Sequence, residues 1–427
     1  MNFKSFLKNK EVGNASWLIG GKVLQMAISL VVGVITARYL GPSNYGLIGY
    51  GAAYVSFFTA FCSLGLNSVI IKDFIDNPHE QGEAIGSAIV MRLFSSLLSA
   101  AMIVGFVCVV DNNEPMTIAV VALCSVGAIF HVFETFNYWF QSQYKSKITA
   151  VATLLAYIVT SVYKIILLIM EKDVRWFAFS SSVDYIVVAV FLFVAYKKHN
   201  GVKLKFSLKK SKSLLKVSYN YILSAMMVAV YSQTDKLILK QMLDESAVGY
   251  FTTATAICAM WVFVLQAIID SIYPTILNLK GKNQELYEKK NRQLYAIIFY
   301  VSTAVSVAFL VLSEFVVKVL YGEEYLPAAD VLKVVSWYTA FSFLGVARNA
   351  WIVCENKQKY LKYIYGCAAV LNVVMNLILI PVLGTIGAAV ATLITQVLTS
   401  IILPFIIKEL RPNAKMMIEA ILLHKIK

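Results

Sequence analysis

Lys22, Arg38, Arg92, Glu134, Lys164, Asp184, Asp235, Lys236, Asp270, Lys333 and Arg348 are ionisable side chains set inside otherwise apolar stretches of a 427-residue chain. A cation at the depth of a bilayer centre costs about 2.5–3.5 kcal/mol on insertion scales, so such groups usually face a bundle interior or a wet cavity. Ammonium and guanidinium groups held there can bind phosphate or carboxylate oxygens by charge-assisted hydrogen bonds. Lys22, Arg92, Lys164, Lys236 and Arg348 are accordingly the candidate lining of an anion-binding cavity. Glu134, Asp235 and Asp270 are candidate proton or sodium sites, because burial disfavours the charged form of a carboxylate. For each of these groups a purely structural ion pair is the alternative.

The elements that carry these residues must be membrane spans. The chain is 59% hydrophobic and 15% charged, with a mean hydropathy of +0.71. Soluble domains are nearer 45–50% apolar and about 25% charged. Apolar runs of about 20 residues suffice to cross the hydrocarbon core as helices. Twelve are expected, at approximately 15–40, 45–71, 84–110, 116–141, 148–170, 177–196, 217–240, 247–273, 293–317, 331–353, 362–382 and 386–407. Backbone in lipid must satisfy its own hydrogen bonds, and no short alternating barrel pattern competes with the helical reading. The expected fold is therefore an all-α polytopic membrane protein. The basic N-terminal stretch "MNFKSFLKNKEVGN" is not followed by a small-residue cleavage site, so the first apolar run reads as a retained span.

The net charge of +14 is a matter of topology rather than of nucleic-acid binding. One set of connections carries Lys4, Lys8, Lys10, Lys72, Lys145, Lys147, a run from Lys197 to Lys216, Lys280 to Arg292, Lys357 to Lys362, and Lys408 to Lys427. The opposite set holds only Lys172, Arg175, Lys240 and Lys318. Basic loops stay in the cytoplasm, which places both termini there. The loop "KKHNGVKLKFSLKKSKSLLK" divides the spans into an N-lobe, 1–205, and a C-lobe, 206–427, with a short cytoplasmic tail. It reads as a solvated linker, with contact to anionic headgroups as the alternative.

The halves carry a faint repeat. "LGPSNYGLIGY" (40–50) sets Leu40, Ser43 and Gly46 over Leu243, Ser246 and Gly249 of "LDESAVGYFTT". Six spans per half keep both halves parallel, a plan in which substrate binds between lobes that rock in alternating access. At 100° per residue Lys22, Gln25, Ser29, Gly33 and Thr36 share one side of span 1. Tyr221, Ser224, Val228, Tyr231 and Asp235 share one side of span 7. The expected polar lining is thus Gln25, Ser29, Thr36, Ser224 and Tyr231. Arg38 falls outside the stripe and reads as a snorkelling end residue. Asp235 and Lys236 point about 100° apart and do not simply neutralise each other. His131, near Glu134, is a second proton carrier or a structural histidine. Pro274 and Pro381 are expected to end helices, and Trp139, Trp176 and Trp337 to anchor at the interfaces. Six scattered cysteines form neither a CxxC nor a Cys/His cluster, so neither metal nor disulfide framework is expected.

"ARYLGPSNYGLIGYGAAYVSFFTAFCSLGLNSVIIKDF" (37–74) resembles the first hairpin of the oligosaccharide flippases, the Wzx-type exporters of polysaccharide repeat units. "QTDKLILKQMLDESAVGYFTTA" (233–254) is similar to that family's span 7–8 hairpin. The resemblance implies the multidrug/oligosaccharidyl-lipid/polysaccharide (MOP) exporter fold, like that of the multidrug and toxin extrusion (MATE) transporters. It implies a bacterial inner-membrane flippase, not an enzyme, that moves undecaprenyl-pyrophosphate-linked oligosaccharide to the outer leaflet for O-antigen or capsule. Partners would be the lipid-linked sugar, membrane lipid, and a polysaccharide polymerase with its chain-length regulator, without nucleic acid. No cofactor is implied beyond a proton or sodium gradient. The rival readings are a lipid II flippase or drug/cation antiporter of the same fold, and a membrane polysaccharide polymerase. The last would be expected to have a large external loop.

Overall fold

The computed structural model describes residues 10–424, except the side chains of residues 10–24, 27, 68 and 220. Every regular element among the described residues is helical. The order is α1 (Lys10–Ser63), α2 (Asn67–Asp76), α3 (Gln81–Val110), α4 (Pro115–Phe130), α5 (Glu134–Ser142), α6 (Ser146–Ile169), α7 (Val174–Lys198) and α8 (Leu208–Met242). It continues with α9 (Glu245–Leu279), α10 (Gln284–Tyr321), α11 (Pro327–Cys354), α12 (Leu361–Leu383), α13 (Thr385–Val397), α14 (Leu403–Ile406) and α15 (Arg411–Ile421). A π turn, Leu398–Ile402, joins α13 to α14.

Ten segments among the described residues are long and apolar enough to cross a membrane, against the twelve expected. Two features account for the difference. Ile28–Ser63 counts as one segment, although α1 breaks at Gly41 (φ 71°, ψ 170°), a conformation essentially closed to other residues. Pro42 follows, at the first helical position where its missing N–H costs nothing. α11 is long enough but carries Asp330, Lys333 and Arg348, and is not among the ten.

The surfaces of these helices are inverted relative to a soluble protein. On α3, Arg92, Ser96, Ser99, Ile103 and Val107 form the buried face, while Phe94, Leu97, Leu98 and Val109 are exposed. Small hydroxyl residues let helices approach closely inside a membrane, and the apolar exterior is matched to acyl chains.

Of the described residues, 10–40 together with Leu47–Ala229 form one compact unit; Gly41–Gly46 with 230–424 form a second. The first unit has a core of Leu66 just before α2, Ile70 and Phe74 of α2, Ala84 and Ile85 of α3, Phe136 and Phe140 of α5, and Leu192 and Tyr196 of α7. Trp139, expected at an interface, belongs to this core and donates its indole N–H to Gln81 Oε1 at 3.1 Å. Its amphipathic ring finds its polar partner inside the protein, whereas Trp176 is half exposed. The second unit is built on α9, α10 and α11, with Tyr287, Leu294, Tyr295, Leu344 and Trp351 in its core and Met416 and Met417 of α15 closing it.

Within the second unit, Gly41–Gly46 packs against the start of α9. A Cβ on Gly46 would lie 1.8 Å from the Glu245 carbonyl oxygen, and one on Gly249 would lie 2.1 Å from that of Pro42. These are the two glycines that the internal alignment superimposes, so repeat-related helix starts meet reciprocally. Neither expected proline terminator acts as one. Pro274 lies inside α9, and Pro381 precedes the end of α12, which is set by Gly384 at φ 61°.

Candidate functional site

Among the described residues, polar clusters stand inside the apolar helices. The first, in the first unit, gathers on Glu134. α4 ends at Phe130 and a 3-10 turn, His131–Phe133, intervenes before α5 begins at Glu134. That tight turn delivers both His131 and Glu134 toward α3. Arg92, with no exposure, brings Nη2 to 3.3 Å from Glu134 Oε2. It also donates from Nη1 to Thr135 Oγ1 (3.2 Å) and from Nε to the Cys62 carbonyl (3.4 Å). Tyr138 donates to the same Glu134 oxygen at 3.2 Å. His131 Nδ1 lies 3.0 Å from it, and its ring packs on Tyr185. Arg92, expected to hold an anion, and Glu134, expected to bind a cation, are thus one ion pair.

The second cluster surrounds Asp235 in the second unit. Asp235 is 3% exposed on α8. Its Oδ1 accepts from Asn372 Nδ2 (3.1 Å) and Asn376 Nδ2 (2.6 Å), and its Oδ2 from Thr392 Oγ1 (2.6 Å). Asn372 and Asn376 are successive turns of α12, Thr392 lies on α13, and all three are buried. Asn376 Oδ1 is buried without a hydrogen-bond partner. Rotation of the two amides would offer carbonyl oxygens beside a carboxylate and a hydroxyl, an all-oxygen set suited to a hard cation. A carboxylate so enclosed is costly unless a positive charge is supplied. The neighbouring Lys236 interacts with it electrostatically, but no hydrogen-bonded ion pair joins the two among the described contacts.

The third cluster is built on Arg348 of α11, 3% exposed. Its Nη1 donates to the carbonyl of Thr399 and its Nη2 to Asn349 Oδ1 (2.9 Å). Thr399 sits in the π turn, whose wider winding disturbs the backbone ladder, so the guanidinium caps an irregular stretch. Asn349 Nδ2 donates to Tyr365 OH at 2.7 Å, and Tyr365 stacks on Tyr231 with ring centroids 6.1 Å apart. Arg348 Nε is buried and has no partner. Among the described residues Arg348 makes no salt bridge, in contrast to Arg92.

The remaining expected residues are dispersed. Lys164 on α6 and Asp184 on α7 interact electrostatically. Asp270 is exposed on α9 and accepts from Gln266 of its own helix at 2.8 Å. Of the first-span stripe, Thr36 is buried, Gln25 half-buried and Ser29 exposed, while the side chain of Lys22 lies outside the described residues. Ser224 and Tyr231 on α8 are half-buried. Asn372, Asn376 and Thr392 were not expected. The signal for the two asparagines is their spacing of four residues in "LNVVMNLIL", which puts two polar groups on one face of an apolar span.

Residues 35–330 match the family described as "Polysaccharide biosynthesis protein". The chain belongs to this family. Its relatives include the capsular polysaccharide biosynthesis protein CapF of Staphylococcus aureus, 20% identical over 90% of this chain and 96% of that one. A protein of Escherichia coli K12 named as an O-antigen transporter is 22% identical over 86% and 90%. Among solved structures, the lipid II flippase MurJ superimposes with a TM-score of 0.74 over 95% of this chain and 91% of that one, at 14% identity. A multidrug-resistance MATE transporter of the MOP superfamily gives 0.69 over 91% and 95%, at 16% identity. At such identity the structural likeness establishes the fold alone, an all-helical architecture shared with MurJ and that transporter. The family's place in polysaccharide biosynthesis fits a protein built of apolar helices with polar clusters inside.

Proposed function

We propose that this protein is a flippase that carries undecaprenyl-pyrophosphate-linked oligosaccharide repeat units from the inner to the outer leaflet of the bacterial cytoplasmic membrane by alternating access. The product would feed O-antigen or capsule assembly, with a polymerase and chain-length regulator downstream and both termini in the cytoplasm. Family membership and the names of full-length relatives support the substrate class.

The observation that carries the reading is Arg348: a buried guanidinium with one unpartnered nitrogen, no salt bridge among the described residues, and tyrosines around it. An uncompensated buried cation is expensive. A doubly charged pyrophosphate offers the multi-oxygen anion that the planar guanidinium fork binds bidentately, while tyrosine rings and hydroxyls suit a sugar. Arg92 is already neutralised by Glu134, so its role in this reading is to keep a polar path open rather than to meet substrate first. Lys22, Lys164 and Lys236 add positive potential. Asp235, with its amide and hydroxyl shell, is the site at which a proton or sodium ion would enter as the lipid leaves. A drug/cation antiporter of the same fold is disfavoured because cations outnumber acids inside the spans.

The test is a leaflet-resolved assay. Proteoliposomes loaded with undecaprenyl-pyrophosphate-linked oligosaccharide are challenged from outside with a membrane-impermeant glycosidase. Arg348→Gln should slow exposure of the sugar at least tenfold, and Arg348→Lys should retain part of the rate, because the charge remains while the bidentate geometry is lost. An Arg348→Gln protein that translocates at the parental rate would remove this residue from the mechanism.

A further inference from the structure

The connection read as a solvated linker, with headgroup contact as the alternative, is fixed along α3 as a strap. The carbonyl of Gly82 accepts from Lys205 N at 3.0 Å, Ser207 N donates to Ser87 Oγ at 3.0 Å, and that hydroxyl donates back to the Ser207 carbonyl at 3.1 Å. Gly82 and Gly86 make this possible. A Cβ at either would lie 2.3 Å from the carbonyl oxygen of Lys203 or Lys205 respectively. Tyr196 donates to the Val202 carbonyl at one end, and Lys210 ties the other to Asp73 and Glu80 at 2.8 Å each. The strap therefore descends beside the first two turns of α3, over about 7.5 Å at 1.5 Å per residue. Those turns open a segment long and apolar enough to span, Pro78–Val110, so the strap lies along one end of a membrane-crossing helix.

What the strap displays suits that place. Val202, Leu204, Phe206 and Leu208 are exposed, Phe206 by 52% and Leu208 by 67%. They alternate with Lys203, Lys205 and Lys209, which are also exposed, as is Lys212 one turn on. Among the described residues Lys203, Lys205 and Lys212 form no ion pair, whereas Lys210 is consumed by its two acids. Aromatic and aliphatic side chains with interleaved lysines are the composition that seats a segment in the headgroup region of an anionic leaflet.

We infer that residues 201–212 are an interfacial lipid-binding strap, with Val202, Leu204, Phe206 and Leu208 in the acyl–headgroup boundary and Lys203, Lys205, Lys209 and Lys212 on anionic lipid phosphates. The inference rests on the proposed cytoplasmic placement of this loop only for which leaflet is met. The strap's attachment to α3 does not depend on the translocated substrate. An anionic membrane surface thereby holds the cytoplasmic end of the first unit.

The test uses the full-length protein in nanodiscs, where both leaflets have the same composition and no substrate is needed. Phe206→Trp is compared with the parent in discs of phosphatidylcholine alone and with phosphatidylglycerol added, each with acyl chains brominated near the headgroup. The added tryptophan emission should be quenched at least twofold more in anionic discs than in neutral ones. Replacing Lys203, Lys205, Lys209 and Lys212 by Gln should abolish that difference. A tryptophan at 206 that emits as in water and escapes quenching in both discs would overturn the inference, and so would quenching indifferent to headgroup charge. Loss of translocation in Arg348→Gln with strap quenching intact would separate this result from the functional reading.

Discussion

At the scale of single residues, the charges inside the membrane divide by what neutralises them. Arg92 and Glu134 neutralise each other, with Thr135, Tyr138 and the Cys62 carbonyl filling the remaining geometry. Breaking such a pair from one side leaves a buried charge, at a cost of about 3 kcal/mol, whereas replacing both partners by apolar residues of similar volume is often neutral. Glu134→Gln should therefore lower the apparent unfolding temperature in detergent by several degrees, and Arg92→Met with Glu134→Leu should recover most of the loss. If the single and double variants unfold together, the pair contributes nothing. The sequence marked Arg92 and Glu134 separately, because a lone charge in an apolar run is visible by itself. Their pairing across 42 positions depends on how α3 meets the 3-10 turn, which no local pattern records.

At the scale of elements, glycine decides two contacts. Gly46 and Gly249 let the restart of α1 after Gly41 and the beginning of α9 meet backbone to backbone. A methyl group at either would force the two chains apart, because the atoms it meets are carbonyl oxygens that cannot rotate away. Overpacking of this kind costs about 1–3 kcal/mol or more. Gly249→Ala should reduce thermal stability and yield of folded protein, while Gly33→Ala, with nothing within 4 Å, should change neither. Equal behaviour of the two variants would refute the contact. The helix positions were largely legible from apolar run length. The break at Gly41 was legible as a loop, but the helices continuing through Pro274 and toward Gly384 past Pro381 were not. Proline within a span can be tolerated where neighbouring elements satisfy the freed carbonyl.

For the whole molecule, transport against a gradient needs an ion whose binding alters the carrier's preference between states, since a ligand shifts an equilibrium only by its differential affinity. Asp235 is the candidate in which a single carboxylate is enclosed by Asn372, Asn376 and Thr392. Asp235→Asn preserves size and can still accept from Thr392, so the fold should persist. In proteoliposomes, an imposed proton or sodium gradient should speed sugar-lipid translocation by the parent. The variant should run at the ungradiented rate. Applying each gradient alone names the ion, and a variant that still responds to the gradient would exclude Asp235 as the coupling site.

Composition and run length determined by themselves that this chain is a polytopic helical membrane protein, because lipid imposes its constraint on every span separately. The short stretches at 37–74 and 233–254 carried the family. Which charges are free and which are consumed was decided only by tertiary structure. So was the enclosure of Asp235 by two amides and a hydroxyl from other helices, and so was the seating of a lysine-rich loop along α3. The reason is geometric: a residue's type and its depth are local properties, but its partner is chosen by the crossing of helices far apart in sequence.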